Sequence, residues 1–286
     1  MHSTAVVVAR TRDWARVAGC WLIVGVAAAQ NAAPVVPTDH YGPPACGAAS
    51  TSQRMTAGAA RAEQEAGAQN AGALLSAEPL ENFGIERYKL ADYADCVGDG
   101  GCYWADLDAQ YKRAEKALAE VNKHGRERLA VVMDIDETTL SSYCEMERES
   151  FGYIGAMWNG WVVSPDAAVA IPGALRLFNE AKAAGFAVFF ITGRPGVQPG
   201  GGAGDQTSAT AKNLEAAGFH GWTGLRLRNG DENSMKTTDY KSKERKKIVG
   251  DGYRIVMSVG DQWSDLLGEP QADVSVKLPN PFYFLP

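Results

Sequence analysis

Val131-Val132-Met133-Asp134-Ile135-Asp136-Glu137-Thr138 decides how this chain folds. An apolar run suited to a buried parallel strand stops at two carboxylates one residue apart and passes into the polar Glu137-Thr138-Thr139. Side chains alternate along a strand, so Asp134 and Asp136 project to one side at its carboxyl end, where open α/β sheets gather their ligands. Two acids held together repel, and something cationic is expected beside them. A strand followed by an acidic turn or helix cap explains the same residues, so the rest of the chain has to decide.

Working outward, residues 102–122 carry Tyr103, Leu107, Tyr111, Ala114, Leu118 and Val121 at spacings of three and four, which predicts an amphipathic helix. Gly125 separates it from the strand 129–133. Downstream, Pro172 opens a helix with Leu175, Leu177, Phe178 and Ala181 on its apolar face, Gly185 closes it, and 186–191 is a continuous apolar strand. A helix over 205–217, a strand over 225–227, a helix over 241–249 and strands over 254–259 and 274–278 continue the alternation. This order predicts an α/β fold with a parallel sheet and crossover helices on both faces. Residues 139–171 show little period and carry Tyr143, Phe151, Tyr153, Met157, Trp158 and Trp161. They are expected to form a flap or cap, whose aromatics make either a small local core or a substrate-facing surface.

The 286 residues are 45% hydrophobic, enough for one large domain with appendages. A net charge of −6 gives no support for a nucleic-acid partner, and the basic run 241–247 reads as a solvated helix face from which only Lys241 is exempted. Residues 1–29 read as a signal peptide: Arg10, Arg12 and Arg16 precede an apolar stretch too short to span a bilayer, ending in Ala27-Ala28-Ala29. A periplasmic or secreted protein with no stable membrane span is expected. Val17-Ala18-Gly19-Cys20 offers a lipid-attachment alternative, although it precedes the apolar region instead of following it. Residues 30–78 are rich in Ala, Gly, Pro, Ser and Gln and read as a weakly ordered arm, in which 61–75 is a candidate helix with Gly58, Gly67 and Gly72 against it, leaving 79–286 as the domain. Cys46, Cys96, Cys102 and Cys144 are an even set fit for an oxidising compartment, and the short flexible loop between Cys96 and Cys102 suits a disulfide.

Three of the expected strands end in residues that phosphate chemistry uses: Asp134 and Asp136, then Thr192-Gly193-Arg194, then Gly260-Asp261-Gln262-Trp263-Ser264-Asp265. A parallel sheet brings these ends to one rim. Taken in order, Asp134-x-Asp136-x-Thr138, Thr192, Lys241 and Gly260-Asp261-x-x-x-Asp265 resemble the four motifs of the haloacid dehalogenase (HAD) superfamily. Tyr240-Lys241-Ser242, Gly252-Tyr253-Arg254-Ile255 and Lys277-Leu278-Pro279-Asn280-Pro281 are similar to the subfamily IIIB acid phosphatases, a group that includes plant storage proteins. The resemblance runs from about residue 80 onward. It implies a HAD-like Rossmannoid three-layer sandwich and a phosphatase of small phosphomonoesters. In that reading Asp134 is the nucleophile, Asp136 the acid and base, and Thr192 and Lys241 phosphate holders. Asp134, Asp136 (through its main-chain carbonyl), Asp261 and Asp265 then make a Mg²⁺ site, in keeping with hard oxygen ligands. A non-catalytic storage protein and a phosphotransferase remain the alternatives. Lys236 and Lys243 compete with Lys241, Arg194 is either a phosphate contact or a surface ion pair, and the glycine-rich 193–204 reads as a surface loop.

Overall fold

Five parallel strands, β1 (Arg128–Met133), β2 (Ala187–Pro195), β3 (Gly224–Arg228), β4 (Tyr253–Gly260) and β5 (Val274–Lys277), form one sheet in the order β3-β2-β1-β4-β5. The computed structural model describes residues 55–70, 72, 80–121, 127–197 and 205–285. The expectations for residues 1–29, for the early arm, for Cys20 and Cys46, and for 198–204 lie outside them.

β1 occupies the centre of the sheet, and all of it except Arg128 is buried. Its alternation sorts two cores: Val131, Met133 and Ile135 pack with Leu177, Phe178 and Phe190 on one face, while Ala130 and Val132 pack with Phe189, Tyr240 and Ile248 on the other. Burying each such large apolar side chain is worth roughly 1.5–3 kcal/mol. The first face is covered by α3 (Tyr103–Ala119) and α6 (Pro172–Ala183), the second by α8 (Thr237–Gly250). The three layers expected from the alternation of elements are present. By parity Asp134 follows Val132, so the sheet presents it toward the side on which α8 packs.

The local signals act as their chemistry dictates. Pro172 starts α6 at its first turn, and Gly185, at φ +82°, ends it. Asp205 caps α7 (Gln206–Ala216) by accepting from the Ser208 N–H at 3.2 Å. Three boundaries differ from expectation. β2 continues through Thr192-Gly193-Arg194 to Pro195, because Pro195 still pairs with Arg228 across an irregularity in the ladder. α8 begins four residues before Lys241, which places Lys241 in its second turn. Part of the expected weakly ordered arm is helical: α1 (Ala57–Asn70) rests against α2 (Phe83–Asp95), and its first N–H donates to Asp92 at 2.7 Å.

The flap contains α4 (Tyr143–Arg148), α5 (Gly155–Trp161) and a 3-10 turn, Pro165–Ala167. A bridge between Leu140 and Ala170 closes it at the base. Cys96 and Cys102 form the expected disulfide, and Cys144 in α4 is disulfide-bonded as well.

Candidate active site

The turn after β1 is built from backbone bonds that leave its acids at the rim. The Asp134 N–H still reaches Val259 O at 3.0 Å, extending the pairing with β4 by one residue. Thr139 and Leu140 N–H then both donate to Ile135 O at 2.8 Å, and Glu137 takes the left-handed conformation, φ +51°. That backbone state is costly for a glutamate and is held by its own side chain. The buried Glu137 carboxylate accepts from Ser142 N–H and Ser142 Oγ, each at 2.6 Å, and from the Tyr283 hydroxyl at 3.1 Å.

Each acid of the rim has a defined partner. Lys241, buried, donates from Nζ to both Asp134 and Asp265. Asp136 is gripped by Arg194, Nη2 to Oδ1 at 2.6 Å and Nε to Oδ2 at 3.0 Å, while Arg194 Nη1 reaches Thr210 at 3.2 Å. Asp261 accepts from Thr138 Oγ1 at 3.0 Å and, on its other oxygen, from Gln262 Nε2 and Asn280 Nδ2 at 2.7 Å each. Asp265 Oδ2 accepts from the Gln262 N–H at 2.8 Å.

Five acids (Asp134, Asp136, Glu137, Asp261, Asp265) thus face two cations (Lys241, Arg194), a formal excess of three negative charges. Burial pushes the Asp134 carboxyl well above its usual range, with Lys241 opposing and Asp265 and Asp261 reinforcing the rise. Burial and then Asp265 raise Asp261 to about 6 against the donors Asn280 and Gln262. Burial, with Asp136 adding to it, takes Glu137 to about 8. Lys241 loses some basicity to burial, yet the two aspartates more than restore it. Asp134, Asp261 and Asp265 each offer an oxygen within 4.8 Å of the others. Hard carboxylate donors carrying surplus negative charge fit a small divalent cation.

Asp134, Asp136, Lys241, Asp261 and Asp265 all line one cavity of about 780 Å³. Phe151, Tyr153 and Trp158 of the flap, Gln206 of α7, Arg228 at the end of the edge strand β3, and the stretch Phe282, Tyr283, Phe284 and Leu285 also line it. Gln262 fastens that last stretch, accepting from Leu285 N–H at 3.0 Å and donating to Tyr283 O at 3.4 Å.

The structure therefore gathers five of the six expected site residues around one space. The sixth, Thr192, is fully buried and does not line it; its Oγ1 accepts from the Arg194 N–H at 3.2 Å. Of the rival lysines, Lys236 is the N-cap of α8 and Lys243 pairs with Glu232 at 2.7 Å. Arg194 makes a buried ion pair with Asp136, not a surface one. Trp161 packs into a small core with Val162 and Ala167, Trp158 packs against that core and also lines the cavity, and Tyr153 lines the cavity. Asn280 and Gln262 stand inside quoted motifs, yet nothing in the sequence indicated that they converge on Asp261.

Residues 51–286 match the family described as HAD superfamily, subfamily IIIB (Acid phosphatase). Acid phosphatase 1 of Solanum lycopersicum is 35% identical over 200 residues, covering 69% of this chain and 75% of that protein. Vegetative storage protein 2 of Arabidopsis thaliana is 33% identical over 159 residues, 54% of this chain and 56% of that one. A class C acid phosphatase from Bacillus anthracis, solved with tungstate bound, has a TM-score of 0.53 at 22% identity over 69% of this chain and 86% of that chain, a likeness of fold. The family match begins upstream of residue 80 and so takes in α1. Its rim of acids, its parallel sheet and this match agree: the chain belongs to the subfamily IIIB acid phosphatases of the HAD superfamily.

Proposed function

We propose that this protein is an exported, Mg²⁺-dependent hydrolase of small phosphomonoesters that works through an aspartyl-phosphate on Asp134. The observation that carries the reading is the Asp134 carboxylate at the cavity, bonded to Lys241 and within ligand distance of Asp261 and Asp265.

An Asp134 oxygen attacks phosphorus, the bond from phosphorus to the leaving oxygen breaks, and Asp136 gives its proton to that oxygen. In the second half, Asp136 takes a proton from water as the water oxygen attacks the aspartyl-phosphate, which frees inorganic phosphate and restores Asp134. Lys241 offsets the charge of the phosphoryl group. Thr192 does not line the cavity; its Oγ1 accepts from the Arg194 N–H and so helps to hold the strand end that presents Arg194 to Asp136. Asp134, Asp261 and Asp265, with the Asp136 carbonyl, would hold Mg²⁺, which when bound neutralises phosphoryl oxygens and relieves the repulsion among the acids.

Residues 1–29, basic and then apolar, and the Cys96 to Cys102 disulfide support export to an oxidising compartment. Tyr153 and Trp158 in the cavity support leaving groups with flat faces, nucleosides among them. A storage role is the second reading, because a vegetative storage protein is among the relatives. The full set of acids and Lys241 favours catalysis, since a store of amino acids has no use for them.

Hydrolysis of phenyl phosphate with Mg²⁺ between mildly acidic and neutral pH tests the reading. Release of phosphate, abolished in a folded Asp134→Asn variant, is expected; undiminished turnover by that variant would remove Asp134 as nucleophile.

A further inference from the structure

A carboxylate oxygen has two lone pairs in the plane of its group. On Asp261 both lone pairs of Oδ2 are taken, by Gln262 Nε2 and Asn280 Nδ2 at 2.7 Å each, while Oδ1 has a single donor, Thr138 Oγ1 at 3.0 Å. Oδ1 is therefore the oxygen with capacity left for a cation, and the three donors together fix the plane in which it lies.

Neither amide is free to turn round. Asn280 Oδ1 accepts from the Phe282 N–H at 2.8 Å, and Gln262 Oε1 accepts from the Leu285 N–H at 3.0 Å while its Nε2 also reaches Tyr283 O at 3.4 Å. Exchanging nitrogen and oxygen in either side chain would set an oxygen against the carboxylate and a donor against a donor. The backbone brings Asn280 to this place. β5 pairs Lys277 with Gly260, the Leu278 N–H donates to Gly260 O at 2.9 Å, and the chain runs on as Pro279-Asn280-Pro281. Pro279 has its own φ fixed and Pro281 restricts the residue before it, so Asn280 has few backbone states to lose.

Each amide thus has one end on Asp261 and the other on the stretch 282–285, all of which lines the cavity. Tyr283 adds a third tie by donating to Glu137 at 3.1 Å, in the turn that carries Asp134 and Asp136. We propose that Asn280 and Gln262 are positioning residues for the divalent cation: they set the Asp261 carboxylate with Oδ1 left to ligate, and through their oxygens they join the cation site and the C-terminal wall of the cavity into one unit. Both act through Asp261 and take no part in bond making. The inference rests on the metal-dependent reading given above and deepens it. Loss of a partner that orients a ligating side chain weakens metal affinity by about 10- to 100-fold. Coupling between sites is reciprocal, so a wall that helps to fix Asp261 for the cation is itself fixed when the cation binds.

Calorimetric titration of Mg²⁺ into the chelator-treated protein reads the positioning. Asn280→Leu, close in size, is expected to raise the Mg²⁺ Kd by about 10- to 100-fold, and Gln262→Met to raise it in the same sense. An asparagine that merely braced the turn at Phe282 would lower Tm on substitution and leave the Kd of the folded protein where it was. Hydrogen exchange in the wild-type protein reads the link to the wall and needs no variant: saturating Mg²⁺ is expected to slow exchange at the Phe282 and Leu285 N–H groups by about fivefold or more. An unchanged Kd in folded Asn280→Leu overturns the proposal. Exchange at both N–H groups that is indifferent to Mg²⁺ overturns it as well, whether or not a variant folds. Absence of any Mg²⁺ binding by the wild type would instead overturn the metal-dependent reading on which the inference stands.

Discussion

Arg194 holds both oxygens of Asp136, with Nη2 to Oδ1 at 2.6 Å and Nε to Oδ2 at 3.0 Å, while its own backbone N–H is taken by Thr192. Such a fork fixes the plane of the carboxylate as well as its place. Arg194→Met should lower kcat on phenyl phosphate by a factor of about 10² through misplacement of the proton donor. It should also destabilise the fold by about 3 kcal/mol, because the partner is left partly buried and unpaired. Steady-state kinetics beside a denaturant titration read both; an unchanged kcat in a folded variant would free Asp136 of its dependence on Arg194.

Lys241 bridges Asp134 and Asp265 from the second turn of α8. Lys241→Met leaves two buried carboxylates without their cation, and a loss of about 3–5 kcal/mol is expected. Turnover should fall by at least about 10³, and Lys241→Arg should recover little of it, since a planar fork cannot replace a compact ammonium in so closed a place. Thermal melts and single-turnover assays of both variants check this; full activity in the arginine variant would contradict it.

Gly173 lies where a Cβ would stand 2.5 Å from the Tyr111 ring, so α6 and α3 meet there without a side chain between them. Gly173→Ala should cost about 1–3 kcal/mol by overpacking, despite the helix propensity gained. Tyr111 also donates to Thr138 O at 2.6 Å, at the turn that carries the acids. The expected fall in Tm is therefore accompanied by a loss of activity larger than a remote core change would give. A variant as stable and as active as the wild type would mean that the two helices can spread freely.

Metal removal should invert the usual response to acid. Burial and Asp265 lift Asp261 to about 6, and Asp134 is lifted in the same sense. In the unfolded chain an aspartate titrates near about 3.9. Between those values the folded protein holds protons that the unfolded chain has released, so the stability these groups contribute falls as pH rises from about 4 to about 6. Chelator-treated wild type, compared with chelator-treated Asp261→Asn, should lose more stability over that rise. Mg²⁺ should raise the Tm of the wild type more at pH 7 than at pH 5, since the ligands must be ionised to bind it. A Mg²⁺ effect independent of pH would go against carboxylate ligation.

How much of this was legible in the sequence depended on whether a signal was local. The strands and helices declared themselves because each has a buried face with its own period, and Pro172, Gly185 and Asp205 marked boundaries by chemistry that acts within a turn. Asp134, Asp136, Asp261 and Asp265 could be foreseen at one rim because parallel strands all end on the same side. The partners of those acids were harder to foresee. Arg194, Gln262, Asn280 and Tyr283 are polar residues in loops or at strand ends, and only the tertiary fold brings them to a carboxylate. Trp161 stayed open between a local core and the cavity for a related reason: an aromatic in an irregular stretch has no period to say whether it faces inward, and it packs on Val162 and Ala167. The helix Ala57–Asn70 was obscured by two glycines, Gly58 and Gly67, and its contacts with α2 outweigh that weak propensity.

Gln262 grips the chain at Tyr283 and at Leu285, and Phe284 and Leu285 stand in the cavity wall. Anything joined to the chain just past Leu285 would begin its path from the wall of the cavity. An affinity tag or fusion partner placed there would crowd the space that substrate has to occupy.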